Sequence, residues 1–439
     1  MTLRASIGAS APISRWLLLG LLTAALSLRA PIVAPTPVLA DIRADLHIDA
    51  TAAGLITSAP VIMFAASTPV AALIIRRMGA EAALLACLLG VLGGTIMRSV
   101  PDYGFVIGGM VVIGASIAVG NVVVPVIIRR ELPPEKVGAM TGAYAVMLNV
   151  GAFTTSAATA PLAALIGWPL AVAAFGLVTL AGAVMWGVHM RAERRRGAPP
   201  GERFSGPLPG GARPVPPPPG APEEAAAPGS AASATGWAAI IRRPAVWSLT
   251  LMFSMQTGVY YALSTWLPTF ASDALHHDAE TAGALASIFQ GGAIIGAVVV
   301  PVLGRLIGRL GVAVVLSVCW LALAFGLLIA PQSIVLWLCL GSLAHVGGFV
   351  VVMTGIVGIS RDDREAARVS AFVQGVGYAL GACAPPLIGA LHDATLGWLV
   401  PLAVIAAMAA IWSACALVSS VRGATAAQTG ASRPVAGDR

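Results

Sequence analysis

Apolar residues fill this chain in long blocks. Runs of about 18 to 25 residues, each bounded by charges or by Gly and Pro, recur from end to end, and each could cross about 30 Å of hydrocarbon as an α-helix. Twelve such runs can be counted, over roughly residues 15–40, 51–75, 82–99, 103–128, 138–163, 166–189, 245–271, 281–304, 312–330, 332–358, 367–391 and 396–420. The first follows Arg4 and Arg15 in the order of a secretory signal. It is too long for one, holds Arg29 inside it and is followed by eleven more runs, so a retained membrane helix is expected. Composition agrees: 10% of residues are charged, where a soluble domain carries about 25%, which sets the chain among membrane proteins.

Between the sixth and seventh runs the pattern stops. From Arg191, "RAERRRGAPPGERFSGPLPGGARPVPPPPGAPEEAAAPGSAASATG" is mostly Pro, Gly, Ala and charge, too little to bury a core, so residues 191–243 read as a disordered cytoplasmic linker. It separates a six-helix bundle over 1–190 from a second over 244–422, with a cytoplasmic tail over 423–439. The halves echo each other. "DATAAGLITS" from Asp49 resembles "DAETAGALAS" from Asp278, and "RRELPPEKVGA" from Arg129 resembles "RDDREAARVSA" from Arg361 at an offset of 232. Pro69, Arg77 and Gly79 recur as Pro301, Arg309 and Gly311 at the same offset.

Orientation follows from Lys and Arg, which gather in the cytoplasmic loops of multi-pass proteins. With the N-terminus inside, Arg76, Arg77, Arg129, Arg130, Lys136, Arg191, Arg305, Arg309 and Arg361 fall on the cytoplasmic side, and only Arg43 and Arg98 fall to the outer loops. The net charge of +7 is then a topology signal and gives no reason to expect nucleic acid. A bacterial cytoplasmic (inner) membrane, with both termini cytoplasmic, is the expected location. Cys87, Cys319, Cys339, Cys383 and Cys415 all lie in predicted spans without close pairing, as small packing residues; neither a metal nor a cofactor is expected.

Two parallel six-helix halves on a cytoplasmic linker resemble the major facilitator superfamily. "PVAALIIRRMGAEA" and "PVLGRLIGRLGVA" look like degenerate copies of that superfamily's loop after the second and eighth helices, the first lacking the leading glycine and the aspartate. "SMQTGVYYALSTWLP" from Ser254 and "VSAFVQGVGYALGACAPPLIGALHDATLGW" from Val369, with "LSLRAPIVAPTPVL" and "GNVVVPVIIRR", resemble the cyanate permease and 2-nitroimidazole transporter subfamily. The likeness covers nearly the whole chain outside linker and tails. It implies an all-α membrane protein of twelve transmembrane helices and a solute site near the midplane between the halves, with alternating access. The implied solute is small and anionic or polar, cyanate-like or nitroimidazole-like. A drug or metabolite efflux carrier of the same fold, or a transporter-like receptor without flux, are the alternatives.

Polar residues at membrane depth are the candidate site. Arg29 lies thirteen residues beyond Trp16, about 20 Å along a helix, too deep to reach the inner interface easily. A buried cation costs about 2.5–3.5 kcal/mol on insertion scales and usually faces a cavity or a partner. No Asp or Glu falls at mid-span to pair with it. Arg29 therefore either meets an anionic or strongly dipolar solute, or binds backbone carbonyls freed by Pro31, Pro35 and Pro37, which should kink the outer half of this helix. His345 is the histidine nearest the centre of a span, able to bond solute or to titrate. Asn121, Asn149, Gln256, Tyr260, Gln374 and Tyr378 complete the predicted solute-binding set, with Tyr261 and Gln290 as further hydrogen-bonding candidates; Gln256/Tyr260 and Gln374/Tyr378 each share one helix face. Trp266 and Trp398 read as outer interfacial anchors. No nucleotide-binding loop is seen, so a gradient should supply the energy, and a coupling proton would fall to His345 or Asp41. No reactive constellation points to an enzyme. The expected partners are a small solute, a proton if transport is coupled, and the lipid bilayer, with the chain acting as a monomer.

Overall fold

The computed structural model describes residues 15–195 and 232–431. Most of the predicted linker, the first fourteen residues and the end of the tail lie outside the described residues. All regular structure among the described residues is helical. The first half holds α1 (Arg15–Val33), α2 (Leu39–Leu46), α3 (Ala50–Met78), α4 (Ala80–Arg98), α5 (Tyr103–Glu131), α6 (Pro134–Ile166), α7 (Trp168–Ala174) and α8 (Gly176–Arg195). The second holds α9 (Ala232–Ile241), α10 (Pro244–Leu275), α11 (Ala279–Ile329), α12 (Ile334–Ile359), α13 (Asp363–Gly381), α14 (Ala384–Thr395) and α15 (Leu399–Ala431). Helix thus continues beyond both predicted bundle edges, to Arg195 on one side and to Ala431 in the tail.

Among the described residues, ten helical segments are long and apolar enough to cross a membrane. One of them, α11, covers 51 residues as two successive helices that break at Gly308, whose φ of +68° only glycine adopts readily. Helix α10 has membrane length too, at 32 residues, with a more polar sequence. The architecture is consistent with twelve spans. Repeat matching pairs Gly79 with Gly311, yet the second left-handed glycine is Gly308, three residues earlier, because the second copy carries an extra glycine in "LIGRLG".

Local chemistry sets the helix starts. Asp49 caps α3 by accepting from Ala52 N at 2.7 Å, and Asp278 caps α11 by accepting from Thr281 N at 2.7 Å, so the sequence echo between those two stretches is a repeated N-cap. Asp102 and Asp362 cap α5 and α13 in the same way. The Asp278 carboxyl, exposed and held by those Thr281 bonds, titrates below the ordinary aspartate value. Helix α1 runs through Pro31, ends at Val33 and passes through a 3₁₀ turn, Thr36–Val38, into α2.

The prolines leave carbonyls without helical donors, and side chains replace them. Pro35 has no N–H to offer the Pro31 carbonyl four residues back, and Arg98 donates to that oxygen through Nη1. Pro37 likewise abandons the Val33 carbonyl, which accepts from Thr36 Oγ1 at 2.9 Å. Arg98 also reaches the Val172 carbonyl through Nη2 at 3.4 Å. The outer-loop placement of Arg98 is therefore corrected: it is the last residue of α4, 1% exposed, with its Nε unpartnered. The bent backbone beside it supplies the acceptors that draw it inward.

The two halves meet along α6 against α11 and α3 against α13 and α14. At the end away from the arginine-rich loops the contact is close. Thr265 donates to Thr57 at 2.8 Å, and Asp393 accepts from Ala50 N at 2.8 Å and pairs with Arg43 at 3.3 Å. Gly54 lies so near α14 that a Cβ would come within 2.6 Å of Pro386 Cα. At the arginine-rich end the ion pairs Arg130–Glu81 and Arg243–Glu365 each stay within one half, and Cβ positions at Gly138, Gly142 and Gly375 would meet open space.

Two smaller expectations are revised. Trp266 is fully buried and donates to the Pro385 carbonyl at 2.8 Å, because α14 covers it; it is no interfacial anchor. Of the five free cysteines only Cys87 and Cys319 are buried, while Cys339 is exposed on α12 and Cys383 is exposed in the turn before α14.

Candidate functional site

Four membrane-length helices converge on Arg29. From α1 it donates through Nη1 to Asn149 Oδ1 on α6 at 3.2 Å, and through Nε to the Tyr260 hydroxyl on α10 at 3.2 Å. Its Nη2 lies 3.2 Å from His345 Nε2 on α12. The guanidinium carbon also sits 4.9 Å from the centre of the Tyr260 ring, within cation–π range. None of these partners is a carboxylate, and among the described residues Arg29 makes no ion pair. One cation thus joins the first half, through Asn149, to the second, through Tyr260 and His345.

Behind this contact the second half forms a continuous polar wall. Tyr260 donates to Gln290 Oε1 at 3.0 Å, and Gln290 Nε2 donates to Ser264 at 3.1 Å. The Tyr260 and His345 rings stack at 3.9 Å with planes 12° apart. Gln256, one turn before Tyr260, donates to the His345 carbonyl at 2.5 Å and accepts from Trp320 Nε1 at 3.1 Å. Asn149 is held in turn by donating to the Ala145 carbonyl at 2.9 Å. Polar groups in an apolar medium must find partners, and these do so across α6, α10, α11 and α12.

Of the predicted solute-binding residues, Arg29, Asn149, Gln256, Tyr260 and His345 form one cluster. Tyr378 packs edge-on against Phe253 at 5.0 Å and against Phe64 of the other half at 5.6 Å, so it bridges the halves by ring contact. Gln374 turns back to Ser370 on its own helix at 2.7 Å. Asn121 is exposed on α5, and no hydrogen bond joins it to the cluster among the described residues. Asp41 is exposed in the first turn of α2, separate from the cluster. Trp320 joins the cluster and was missed in the sequence. Its signal was a tryptophan at mid-span, far from either interface, whose N–H must be satisfied inside the protein.

Comparisons with known proteins agree with this architecture. The chain is 29% identical over 405 residues to the 2-nitroimidazole transporter of Escherichia coli (strain K12), covering 91% of this chain and 95% of that one. It is 26% identical over 155 residues to the cyanate transport protein CynX of the same organism, covering 35% and 40% of the two chains. A bacterial homolog to the human lysosomal transporter Spinster, solved inward-facing and unoccupied, superposes with a TM-score of 0.66 over 95% of each chain at 16% identity. Residues 17–303 match the Major Facilitator Superfamily, well over half the chain. With its paired helical bundles, this multi-pass membrane protein belongs to the Major Facilitator Superfamily.

Proposed function

We propose that the protein is a secondary transporter for a small, flat, anionic solute, with Arg29 as its counter-charge. The observation that carries this reading is a cation between the two halves whose hydrogen-bond partners include no carboxylate. A charge at that depth is tolerated when a partner neutralises it, and an anionic solute would be that partner. The relatives' solutes fit one chemistry: cyanate is an anion, and a nitro group acidifies an imidazole N–H, so both offer a compact, delocalised negative charge. Alternating access would work by parting the outer contacts, Arg43–Asp393 and Thr57–Thr265, as the halves rock about the cluster. The arginine distribution supports a bacterial inner membrane with both termini cytoplasmic. If a proton is coupled, His345 touches the cation while Asp41 stands apart, which favours His345 as its carrier.

The test is uptake into proteoliposomes of radiolabelled benzoate, cyanate and 2-nitroimidazole, with benzamide as the uncharged match for benzoate. Anion uptake exceeding benzamide uptake, and lost in Arg29→Gln, is the expected result. Equal uptake of benzoate and benzamide, or full activity in Arg29→Gln, would overturn the counter-charge role. Binding without uptake would make the protein a receptor, and a chemically altered solute would make it an enzyme.

A further inference from the structure

The polar cluster holds a conflict that a bound acceptor resolves. Trp320 Nε1 can only donate, and it lies 3.1 Å from Gln256 Oε1. The His345 carbonyl can only accept, and it lies 2.5 Å from Gln256 Nε2. Both contacts demand one amide orientation, oxygen toward Trp320 and nitrogen toward His345. The flipped amide would set N–H against N–H and oxygen against oxygen. Gln256 therefore presents N–H to His345 Nδ1, at 3.5 Å. On the other edge of the ring Arg29 Nη2, again only a donor, lies 3.2 Å from Nε2.

A neutral imidazole has one bare nitrogen and one N–H. Facing a donor at each edge, it sets N–H against N–H on one of them whichever tautomer it takes, and a protonated ring does so on both. The Tyr260 stack, at 3.9 Å and 12°, holds the ring plane so that neither edge swings away. Gly348, three residues on in α12, leaves the space that Gln256 fills; a Cβ there would run into the amide.

The geometry points to a two-donor clamp: an anionic atom of the solute enters between Arg29 Nη2 and His345 Nε2 and accepts an N–H from each, while Nδ1 becomes bare and accepts from Gln256. Trp320 and Gln256 are then positioning residues. They touch no solute; they select the His345 tautomer that donates to it. The clamp demands an acceptor atom at that point and discriminates against solutes that present a donor or a hydrocarbon edge. This inference rests on the anion-carrier reading above and adds to it the solute's required acceptor and the residues that enforce it.

The experiment measures benzoate and cyanate binding to the purified full-length protein, together with ¹⁵N spectra of its histidines. The His345 signal is identified by its absence in His345→Gln. Gln256→Met deletes the donor facing Nδ1 while keeping the side-chain length, and is expected to weaken benzoate binding about tenfold, the loss of one well-aimed hydrogen bond to an anion. His345→Gln supplies a side-chain N–H that has no tautomers. In that background Gln256→Met is expected to change affinity by less than about twofold, within ordinary additivity. Benzoate should also move wild-type His345 to the Nε2–H form, and should not do so in Gln256→Met. Equal weakening in both backgrounds, or a bare Nε2 with benzoate bound, would overturn the clamp and leave the anion reading standing. If neither anion binds the wild type, or Arg29→Gln binds them equally well, the anion reading falls and the clamp with it. Should Gln256→Met not fold, Gln256→Leu removes the same donor and supplies the same comparison.

Discussion

Arg29 and Arg98 are both arginines carried into the apolar body of the protein without an ion pair among the described residues, yet their surroundings differ in kind. Arg98 ends α4, is 1% exposed, and spends its hydrogen bonds on the backbone carbonyls of Pro31 and Val172. Arg29 is half-buried, spends its bonds on the side chains of Asn149, Tyr260 and His345, and spans both halves. Carbonyls belong to a backbone that stays folded, whereas side chains on opposing bundles can part. The first environment suits a brace and the second a site that changes partners. The carbonyls of Pro31 and Val33, freed by Pro35 and Pro37 and a target for Arg29 on sequence alone, are served instead by Arg98 and Thr36.

The sharpest way to break this comparison is to delete each arginine and ask which property fails. Arg98→Ala orphans two buried carbonyl acceptors and opens a cavity beside the kink, so it should destabilise the protein by about 3 kcal/mol. Its benzoate affinity should stay close to wild type; thermal unfolding with and without ligand checks both. Installing a donor with Pro35→Ala in that variant should restore part of the loss, since residue 35 would again reach the Pro31 carbonyl. Arg29→Gln should do the reverse, weakening anion binding about 100-fold, the value of charge-assisted hydrogen bonds, with little change in the unliganded midpoint. Titration calorimetry reads the first and a melting scan the second. Thr36→Val keeps the shape and removes the Oγ1 bond to Val33, and should cost about 1 kcal/mol in the same scan. Asp393→Asn keeps an acceptor for Ala50 N but loses the charge facing Arg43. Because those side chains are 24% and 36% exposed, the change in stability should stay below about 1 kcal/mol. Its clearer readout is faster chemical labelling of a cysteine introduced at Thr57, as the outer contact opens more often.

Much of this was legible because membrane proteins write their constraints in length and polarity. Apolar blocks gave the helices, the repeated Asp49 and Asp278 stretches marked equivalent helix starts, and the rarity of mid-span polar residues singled out Arg29, Asn149, Gln256, Tyr260 and His345, which the fold brings together. What the sequence hid depended on rotation and on neighbours. Arg98 sits one residue inside a predicted boundary, where a small shift turns a loop charge into a buried brace. Asn121 has the same chemistry as Asn149 but is exposed where Asn149 is buried, and helix rotation is weakly encoded when both faces are apolar. Trp266 is covered by α14, a contact between segments more than a hundred residues apart.

The most direct test of the central claim is the thermal stability of the wild type and of Arg29→Gln, each with benzoate and with benzamide at a hundred times the wild-type dissociation constant for benzoate. A ligand bound only by the folded state adds about 2.7 kcal/mol under those conditions. The account predicts that stabilisation for the wild type with benzoate, much less with benzamide, and none for Arg29→Gln with either. Equal stabilisation of wild type and Arg29→Gln by benzoate would contradict it and return Arg29 to a structural role.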